Sequence, residues 1–313
     1  MVKPLFSIAI PAFNSINYIK ETVRSVLNQT FKDFELVIVD DCSNDGTWDF
    51  IQTIKDTRVK VFRNLSNLGI VKNWGKCIER ANGVWFKFLM HDDVMFPDSL
   101  YILNGLIKKY PNNFVIVSSG IDFRNSKTVE KYLGIENRVI KNTDKYLILM
   151  KEIISRRKRF NQTWAMPNSY TLLTRDIKEL IKRKDYKKVE VNLGKTGHCV
   201  DYFILYAIAT RYETMIEMDI PLYGVRCHEA NFSKTYNQNL LYHLSGDKYI
   251  HYMLYSYSGI ENLYIIRHAF RIYVKKVFSN KKKIISFSTV TKTVQLLIFL
   301  FKHIFGIQLK LKN

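Results

Sequence analysis

The chain has 313 residues and a formal net charge of +20, from 48 Lys and Arg against 28 Asp and Glu. This length is enough for one large domain or two smaller ones. Hydrophobic residues make up 47% of the chain, which argues against a disordered protein and for a sizeable core. The excess positive charge predicts an anionic partner, such as a nucleic acid, a phospholipid surface or a phosphorylated substrate.

The cysteines and the apolar runs indicate a cytoplasmic chain. The four cysteines are scattered, with no CxxC pair and no metal-finger spacing, which predicts reduced thiols. The N-terminus leads straight into a predicted strand, so we expect no secretory signal. The most apolar run, residues 294–301, is too short to span a bilayer.

The first two predicted strands are continuous apolar runs, which is typical of strands buried on both faces. Residues 6–11 form the first strand, and a helix with apolar positions at helical spacing follows Asn14. Residues 34–41 form the second strand, which ends in the adjacent carboxylates Asp40 and Asp41. Turn-forming residues then lead into a short helix.

The central strand lies in residues 86–94 and also ends in two adjacent carboxylates, Asp92 and Asp93. Taken alone, such a pair is more often a cap of the following helix than a ligand site. Further predicted elements are a strand over 59–62, a helix over 100–109 and a strand over 114–118. The alternation of strands and helices predicts an α/β fold with a doubly wound, mostly parallel sheet and helices on both faces.

The second half of the chain is less regular. Predicted elements are helices over 145–155 and 202–209, a strand-like stretch over 164–173, and strands over 214–220 and 222–225 on either side of Pro221. From residue 241 onward the chain is predicted to be helical, with twelve Lys and Arg against two Asp and Glu. Half of the net charge therefore lies in this last quarter.

Two neighbouring strands that each end in adjacent acids are harder to explain by capping than one. Ligands of open α/β sheets bind beyond the carboxyl ends of the strands, and four carboxylates near one crevice repel each other unless a ligand supplies donors or a metal. A nucleoside diphosphate with its divalent cation supplies both. Oxygen ligands suit Mg²⁺ or Mn²⁺ bound together with substrate phosphates.

Several motifs, taken in order, resemble the family 2 glycosyltransferases of the GT-A fold over about residues 5–235. They are the opening strand and its Pro-x-aromatic-Asn turn (7–14), the nucleotide-binding segment (35–47), an Asn-Leu-Gly turn with the Ala-Asn-Gly that follows its helix (67–69, 81–83), and the acidic stretch 91–93. The resemblance implies an inverting sugar transfer from a nucleotide-sugar donor, with UDP favoured. It implies a donor-nucleotide site made by Pro11, Ala12, Asn14, Asp40, Asp41 and Asp92.

The resemblance also implies a divalent cation, Mn²⁺ or Mg²⁺, held by Asp92, Asp93 and His228. The first acid of the usual DxD tract is missing, because Met90 and His91 precede the two Asp. His91 is therefore a further candidate ligand.

The remaining expectations concern the acceptor side. Asp201 falls where the family has its general base, although Val200 replaces the acid that usually precedes it. An alcohol is a poor nucleophile, so a carboxylate must take its proton as the glycosidic bond forms. Arg226 and Trp164 are candidate acceptor residues, the latter by stacking on a sugar face; a core aromatic is an equally good interpretation of Trp164.

We expect residues 1–235 to form a catalytic domain, with 1–120 as its nucleotide-binding half and 121–235 as its acceptor half. Residues 236–313 are predicted to be a basic amphipathic helical region. Such a region suits adsorption to an anionic membrane surface, which would serve a lipid-linked or glycan acceptor at the inner face of the plasma membrane. A solvated helical face packed on the catalytic domain is the alternative.

Three other functions compete with a glycosyltransferase. A nucleic-acid-binding protein would fit the charge, but no nucleic-acid module is recognisable, so nucleic acid is not an expected partner. A nucleotidyltransferase should have a Gly-rich first loop with a basic residue, whereas residues 11–14 read Pro-Ala-Phe-Asn. The altered DxD tract leaves open a third alternative, a nucleotide-binding pseudoenzyme.

Overall fold

The computed structural model describes residues 3–112, 115–123, 137–141, 167–187, 200–209, 211–212, 214–226 and 228. These all belong to the first of two compact units, Met1–Asn231, and the second unit is Phe232–Asn313. The helices predicted at 145–155 and beyond 241, the basic region 236–313 and the candidate acceptor residue Trp164 lie outside the described residues.

The described elements alternate between strand and helix in the first half of the chain. The strands are β1 (Phe6–Ala12), β2 (Phe34–Asp40), β3 (Val59–Arg63), β4 (Trp85–Phe88), β5 (Val94–Met95), β6 (Val115–Phe123), β7 (Asn137–Lys141), β8 (Tyr170–Leu173) and β9 (Thr214–Arg226). The helices are α1 (Ile16–Leu27), α2 (Thr47–Ile51), α3 (Ile70–Arg80), α4 (Ser99–Lys109), α5 (Thr174–Leu180) and α6 (Val200–Ala209), and a 3₁₀ turn spans Pro167–Ser169. Of these helices, none is both long enough and apolar enough to cross a bilayer.

The predicted α/β fold is confirmed. The strands form one sheet in the order β3-β2-β1-β4-β8-β6-β9-β5, with β7 paired to β9. The first four strands in this order are all parallel, as their continuous apolar sequences predict. Every residue of β1 and β2 is buried.

The other half of the sheet is mixed. Strand β8 runs antiparallel to both β4 and β6, and β9 is parallel to β6 but antiparallel to β5 and β7. The prediction of two strands separated by Pro221 was wrong, because β9 is continuous. Its pairing with β6 shifts register around Ser119, which is opposite Pro221, so the ladder accommodates a residue that has no N–H to donate.

Helices pack on both faces of the parallel half. Residues Phe6, Ile8 and Ile10 of β1 share one core cluster with Val23 of α1 and Leu103 of α4. On the other face α3 buries Trp74, whose ring centroid lies 5.3 Å from that of Phe88 in β4. This is the layered arrangement that βα units produce, and it leaves the carboxyl ends of β1, β2 and β4 together at one edge.

The opposite edge of the sheet is held by the buried carboxylate of Glu35. Ser7 Oγ donates to it at 2.5 Å, the backbone N–H of Gly83 at 3.1 Å and Lys60 Nζ at 2.6 Å, and Asn82 N–H also donates. One side chain thus joins β1, β2, β3 and the turn before β4. Burial raises the pKa of Glu35, but the hydrogen bonds from Lys60, Ser7 and Asn82 outweigh it, and the net pKa is lowered.

We expect Glu35→Gln to lower the free energy of unfolding at pH 7 by about 2 kcal/mol, because several donors lose a charged acceptor. A carboxyl group whose folded pKa is lowered stabilises the protein above its unfolded pKa, and the effect disappears as pH falls through the folded value. The difference between wild type and variant should therefore shrink below about pH 4.5. Urea unfolding at pH 7 and pH 3 measures it, and an equal difference at both would contradict the prediction.

Candidate active site

The turns after β1 and β2 lie side by side because the two strands are parallel and paired up to Ala12 and Asp40. Asp41 N–H donates to the Ala12 carbonyl at 2.8 Å. Asn14, with a left-handed φ of 45°, donates its N–H to Ser43 Oγ at 2.9 Å and accepts from Asn44 N–H at 3.0 Å. The predicted donor residues Pro11 and Ala12 end β1 and lead into this interlocked double turn, of which the third, Asn14, is part.

Asp40 lies at the bottom of this double turn and is fully buried. Its Oδ2 accepts from Ser43 N–H at 3.1 Å and lies 3.3 Å from Arg63 Nε. Its Oδ1 has no hydrogen-bond partner among the described residues, which is unusual for a buried carboxylate oxygen. Arg63, which sequence reasoning missed, lies half-exposed over Asp40, with its guanidinium 5.3 Å from the centre of the Trp48 ring.

Asp41 is in a different environment although it is the next residue. Its Oδ1 accepts from Asn64 Nδ2 at 2.8 Å and Leu68 N–H at 2.9 Å, and its Oδ2 accepts from Gly69 N–H at 2.9 Å. The carboxylate thus holds the turn between β3 and α3. A direct contact between Asp41 and the donor nucleotide stays a prediction.

Cys42 follows these two acids with a left-handed φ of 64°. This conformation is strained for a residue with a branched Cβ and well tolerated by Asn. We expect Cys42→Val to lower the free energy of unfolding by about 1–2 kcal/mol, while Cys42→Asn leaves it nearly unchanged. Thermal unfolding of the two variants tests this, and equal melting temperatures would show that the backbone conformation is not the cause.

The turn after β4 brings Asp92 to the same edge of the sheet, beside His228 beyond the end of β9. Asp92 Oδ2 and His228 Nε2 are 3.0 Å apart, although the residues are 136 positions apart in the chain. The imidazole stacks on the Tyr18 ring of α1 with 4.4 Å between ring centroids. Arg226 Nε donates to the Asp92 carbonyl at 2.9 Å, and Arg226 also forms an ion pair with Glu21.

Asp93 is almost fully buried, and both of its carboxylate oxygens accept hydrogen bonds. Arg226 N–H donates to Oδ1 at 2.9 Å, and Asn168 Nδ2 donates to Oδ2 at 2.5 Å. Burial and then the charge of Asp92 raise the pKa of Asp93 well above its ordinary value. Its role as a metal ligand stays a prediction. Asn168 was not predicted as a site residue, because no local sequence pattern marks it.

His91 points its Nδ1 into a buried position with no hydrogen-bond partner among the described residues. Burial lowers the pKa of His91, and the nearby charge of Asp92 opposes this only in part. The neutral imidazole is therefore favoured, which is the form that binds metals. Its role as a ligand also stays a prediction.

The residues at this edge fit a divalent cation completed by a substrate. The described part of the chain contains no group of three or more His, Cys, Asp or Glu that could hold a metal alone. The 3.0 Å between Asp92 Oδ2 and His228 Nε2 is a hydrogen-bonding distance, and it is also about the separation of two ligands in neighbouring octahedral positions about 2.1 Å from a metal. Mg²⁺ and Mn²⁺ sites commonly combine one or two such side chains with phosphate oxygens.

Asp201 lies in the first turn of α6 and is partly exposed. Burial and then the charge of Asp201 raise the pKa of Tyr170, the first residue of β8, well above its ordinary value. The predicted helix over 202–209 is confirmed, and it begins two residues earlier, at Val200. Among the candidate acceptor residues, Arg226 lies beside Asp92.

The chain is similar to bacterial glycosyltransferases in sequence. It is 42% identical over 100 residues to a putative teichuronic acid biosynthesis glycosyltransferase, TuaG, of Bacillus subtilis, covering 31% of this chain and 40% of the relative. It is 33% identical over 129 residues to an uncharacterized glycosyltransferase of Rickettsia prowazekii, covering 41% of this chain and 40% of the relative. The matched segments thus span less than half the length of these relatives.

The fold is similar to that of S. aureus TarS. The crystal structure of TarS 1–349 in complex with UDP-GlcNAc superposes with a TM-score of 0.61 at 17% identity, over 97% of this chain and 82% of that one. The complex with UDP gives a TM-score of 0.55 at 18% identity, over 83% and 74%. Residues 7–181, more than half of the chain, match the family described as Glycosyl transferase family 2. The chain therefore belongs to glycosyltransferase family 2.

Proposed function

We propose that the protein is an inverting glycosyltransferase that moves a sugar from a UDP-sugar to a hydroxyl of a glycan or lipid-linked acceptor in bacterial cell-surface polysaccharide synthesis. The observation that carries this proposal is the Asp92–His228 pair, 3.0 Å apart at the carboxyl edge of the sheet. This pair would offer one oxygen and one nitrogen to a cation at the edge of the sheet where ligands of open α/β folds bind. The name of TuaG supports a surface polysaccharide as the product.

The double turn after β1 and β2 would bind the nucleoside. Uracil carries a ring N–H that the unpartnered Oδ1 of Asp40 would accept once the half-exposed Arg63 side chain moves aside, and cytosine has no such N–H. The TarS complexes contain UDP and UDP-GlcNAc, which supports UDP as the nucleotide of a protein with this fold. We therefore expect UDP to bind more tightly than CDP.

The chemistry follows from the residue types. Asp92 and His228 would hold a divalent cation, which would neutralise the charge that accumulates on the leaving diphosphate. Asp201 takes the proton of the attacking acceptor hydroxyl, and Arg226 orients groups beside Asp92. Asp93 holds the Arg226 backbone in place through its Oδ1, which keeps β9 beside the turn after β4.

The basic residues 236–313 would hold the enzyme at the anionic inner face of the plasma membrane, where a lipid-linked acceptor is presented. This part of the proposal rests on charge and composition. Vesicles with and without anionic lipid at low salt test it, and equal retention on neutral vesicles would contradict it.

A nucleotide-binding pseudoenzyme is the second candidate, favoured by the two occupied oxygens of Asp93. Calorimetric titration of UDP and CDP, with and without Mn²⁺, separates the two. Wild type should bind UDP more tightly with Mn²⁺, and Asp92→Asn should lose that gain. The exposed Asp49→Asn on α2 is the matched control. Tight UDP binding that ignores both the metal and Asp92→Asn would support the pseudoenzyme.

A further inference from the structure

Lys87 is an ionisable residue in a fully buried strand of the sheet. It lies in β4 between Phe86 and Phe88, and its relative exposure is 0%. Burial lowers the pKa of Lys87 to about 7, and no charged neighbour contributes to this shift. Burying an ammonium group without a counter-ion costs several kcal/mol, so an apolar residue would stabilise this position better. The presence of a lysine at this position therefore needs an explanation other than the stability of the core.

The ammonium of Lys87 has two described contacts. It donates to the backbone carbonyl of Asn168, and it lies 5.5 Å from the centre of the Tyr223 ring. The first contact anchors the 3₁₀ turn Pro167–Ser169 to β4. A side chain this long reaches from the strand to that turn, which a shorter polar residue could not do.

Asn168 also contacts the turn after β4, which carries Asp92 and Asp93. Its Oδ1 accepts from Met90 N–H at 2.8 Å, and its Nδ2 donates to Asp93 at 2.5 Å. Asn168 is itself fully buried, so these hydrogen bonds do not compete with water. The turn that carries Asp92 is thus held at both ends by one side chain.

Asp93 connects the same turn to β9. Its Oδ1 accepts from Arg226 N–H, and Arg226 Nε in turn donates to the Asp92 carbonyl. His228 follows Arg226 by two residues. A continuous series of contacts therefore links Lys87, through Asn168 and Asp93, to the segment that carries His228.

We propose that Lys87 is a positioning residue that acts through Asn168 and Asp93 to hold Asp92 beside His228. The proposal rests on the proposed function only in treating Asp92 and His228 as the metal site of the donor. A positioning role also differs from a purely structural one in its consequences. Loss of Lys87 should disturb Asp92 and His228 and leave the nucleoside end of the site, built on β1 and β2, unchanged.

The direct test observes the His228 ring in the ligand-free protein. The chain has seven histidines, so ¹⁵N-histidine labelling gives few ring signals, and His228→Gln assigns the one that matters. Lys87→Met should shift the His228 signal. Lys60→Met, which removes a lysine–carboxylate contact at the opposite edge of the sheet, should leave it in place. An unchanged His228 signal in folded Lys87→Met overturns the proposal.

A second readout measures the consequence for binding. Lys87→Met should weaken Mn²⁺-dependent UDP binding by about 10–100-fold, as loss of an outer hydrogen-bond partner typically does, while metal-free UDP binding stays the same. Asn168→Ala should have the same selective effect, and the double variant should be no worse than Asn168→Ala alone. Equal loss of metal-free and metal-dependent binding would overturn the proposal in favour of general damage.

The two experiments separate this inference from the proposed function. If wild type binds no nucleotide, the proposed function fails, and the His228 signal still decides the role of Lys87. If Lys87→Met does not fold, Asn168→Ala carries the same spectroscopic test. A His228 signal unaffected by Asn168→Ala would then overturn the proposal.

Discussion

Asp201→Asn is expected to lower kcat for sugar transfer by about 10²–10⁴-fold, the usual contribution of a general base. The amide has nearly the shape of the carboxylate but cannot take the proton of the attacking hydroxyl. Because the proposed mechanism gives Asp201 the proton of the acceptor hydroxyl and no contact with the nucleotide, the affinity for UDP should not change. UDP release from a UDP-sugar measures turnover, and calorimetry with UDP measures binding.

The control for this substitution is Asp33→Asn, an equally conservative change at an exposed position before β2. It should leave both turnover and binding at their wild-type values. A kcat within about threefold of wild type for Asp201→Asn would remove Asp201 from the mechanism, since general-base contributions are far larger. A parallel loss of UDP affinity would instead assign it to donor binding.

The parallel half of the sheet could be predicted because its signals are local. Continuous apolar runs predict buried strands, and β1, β2 and β3 begin at the residues predicted. Strand β8 lies within the strand-like stretch predicted over 164–173, but its antiparallel place between β4 and β6 could not be predicted, because its pairing with β4 joins residues more than 80 positions apart along the chain. The short strand β5, which pairs with the distant β9, was also missed, and its Val94 was included in the predicted central strand.

The residues of the candidate site were predicted in part, but the different roles of adjacent acids were not. Asp40 and Asp41 were both assigned to the donor nucleotide, and Asp92 and Asp93 both to the metal, because the acids of each pair are adjacent in the sequence. In the structure the two acids of each pair have different partners. In each pair the second acid accepts backbone N–H groups and holds a turn. The first acid of each pair is the better candidate for a ligand contact. Asp40 has an oxygen with no hydrogen-bond partner among the described residues, and Asp92 lies beside His228.

This division of roles explains how four carboxylates coexist near one crevice. The sequence suggested that a cation or ligand must offset their repulsion. Instead, the chain supplies donors to Asp41 and Asp93, and Arg63 lies beside Asp40. Asp92 lies beside His228, a candidate metal ligand. Asn168 and Lys87 could not be found from sequence because their importance comes from tertiary contacts alone.

Gly83→Ala is expected to lower the free energy of unfolding by about 3 kcal/mol or more, at the upper end of overpacking effects. A Cβ atom at Gly83 would lie 2.6 Å from both the Phe6 carbonyl carbon and the Ser7 nitrogen. These are backbone atoms of β1, so no side-chain rotation relieves the contact. The N–H of Gly83 would also move away from Glu35.

The matched control is Gly75→Ala in α3, where a Cβ atom would meet nothing within 4 Å. Alanine favours helix over glycine, so this variant should be more stable by about 0.5–1 kcal/mol. Urea unfolding of both variants tests the pair. Because Gly83 lies at the edge opposite Asp92 and His228, UDP binding by the fraction of Gly83→Ala that stays folded should match wild type. A Gly83→Ala variant as stable as Gly75→Ala would mean that the turn before β4 can shift away from β1, and that the Glu35 network does not fix this edge of the sheet.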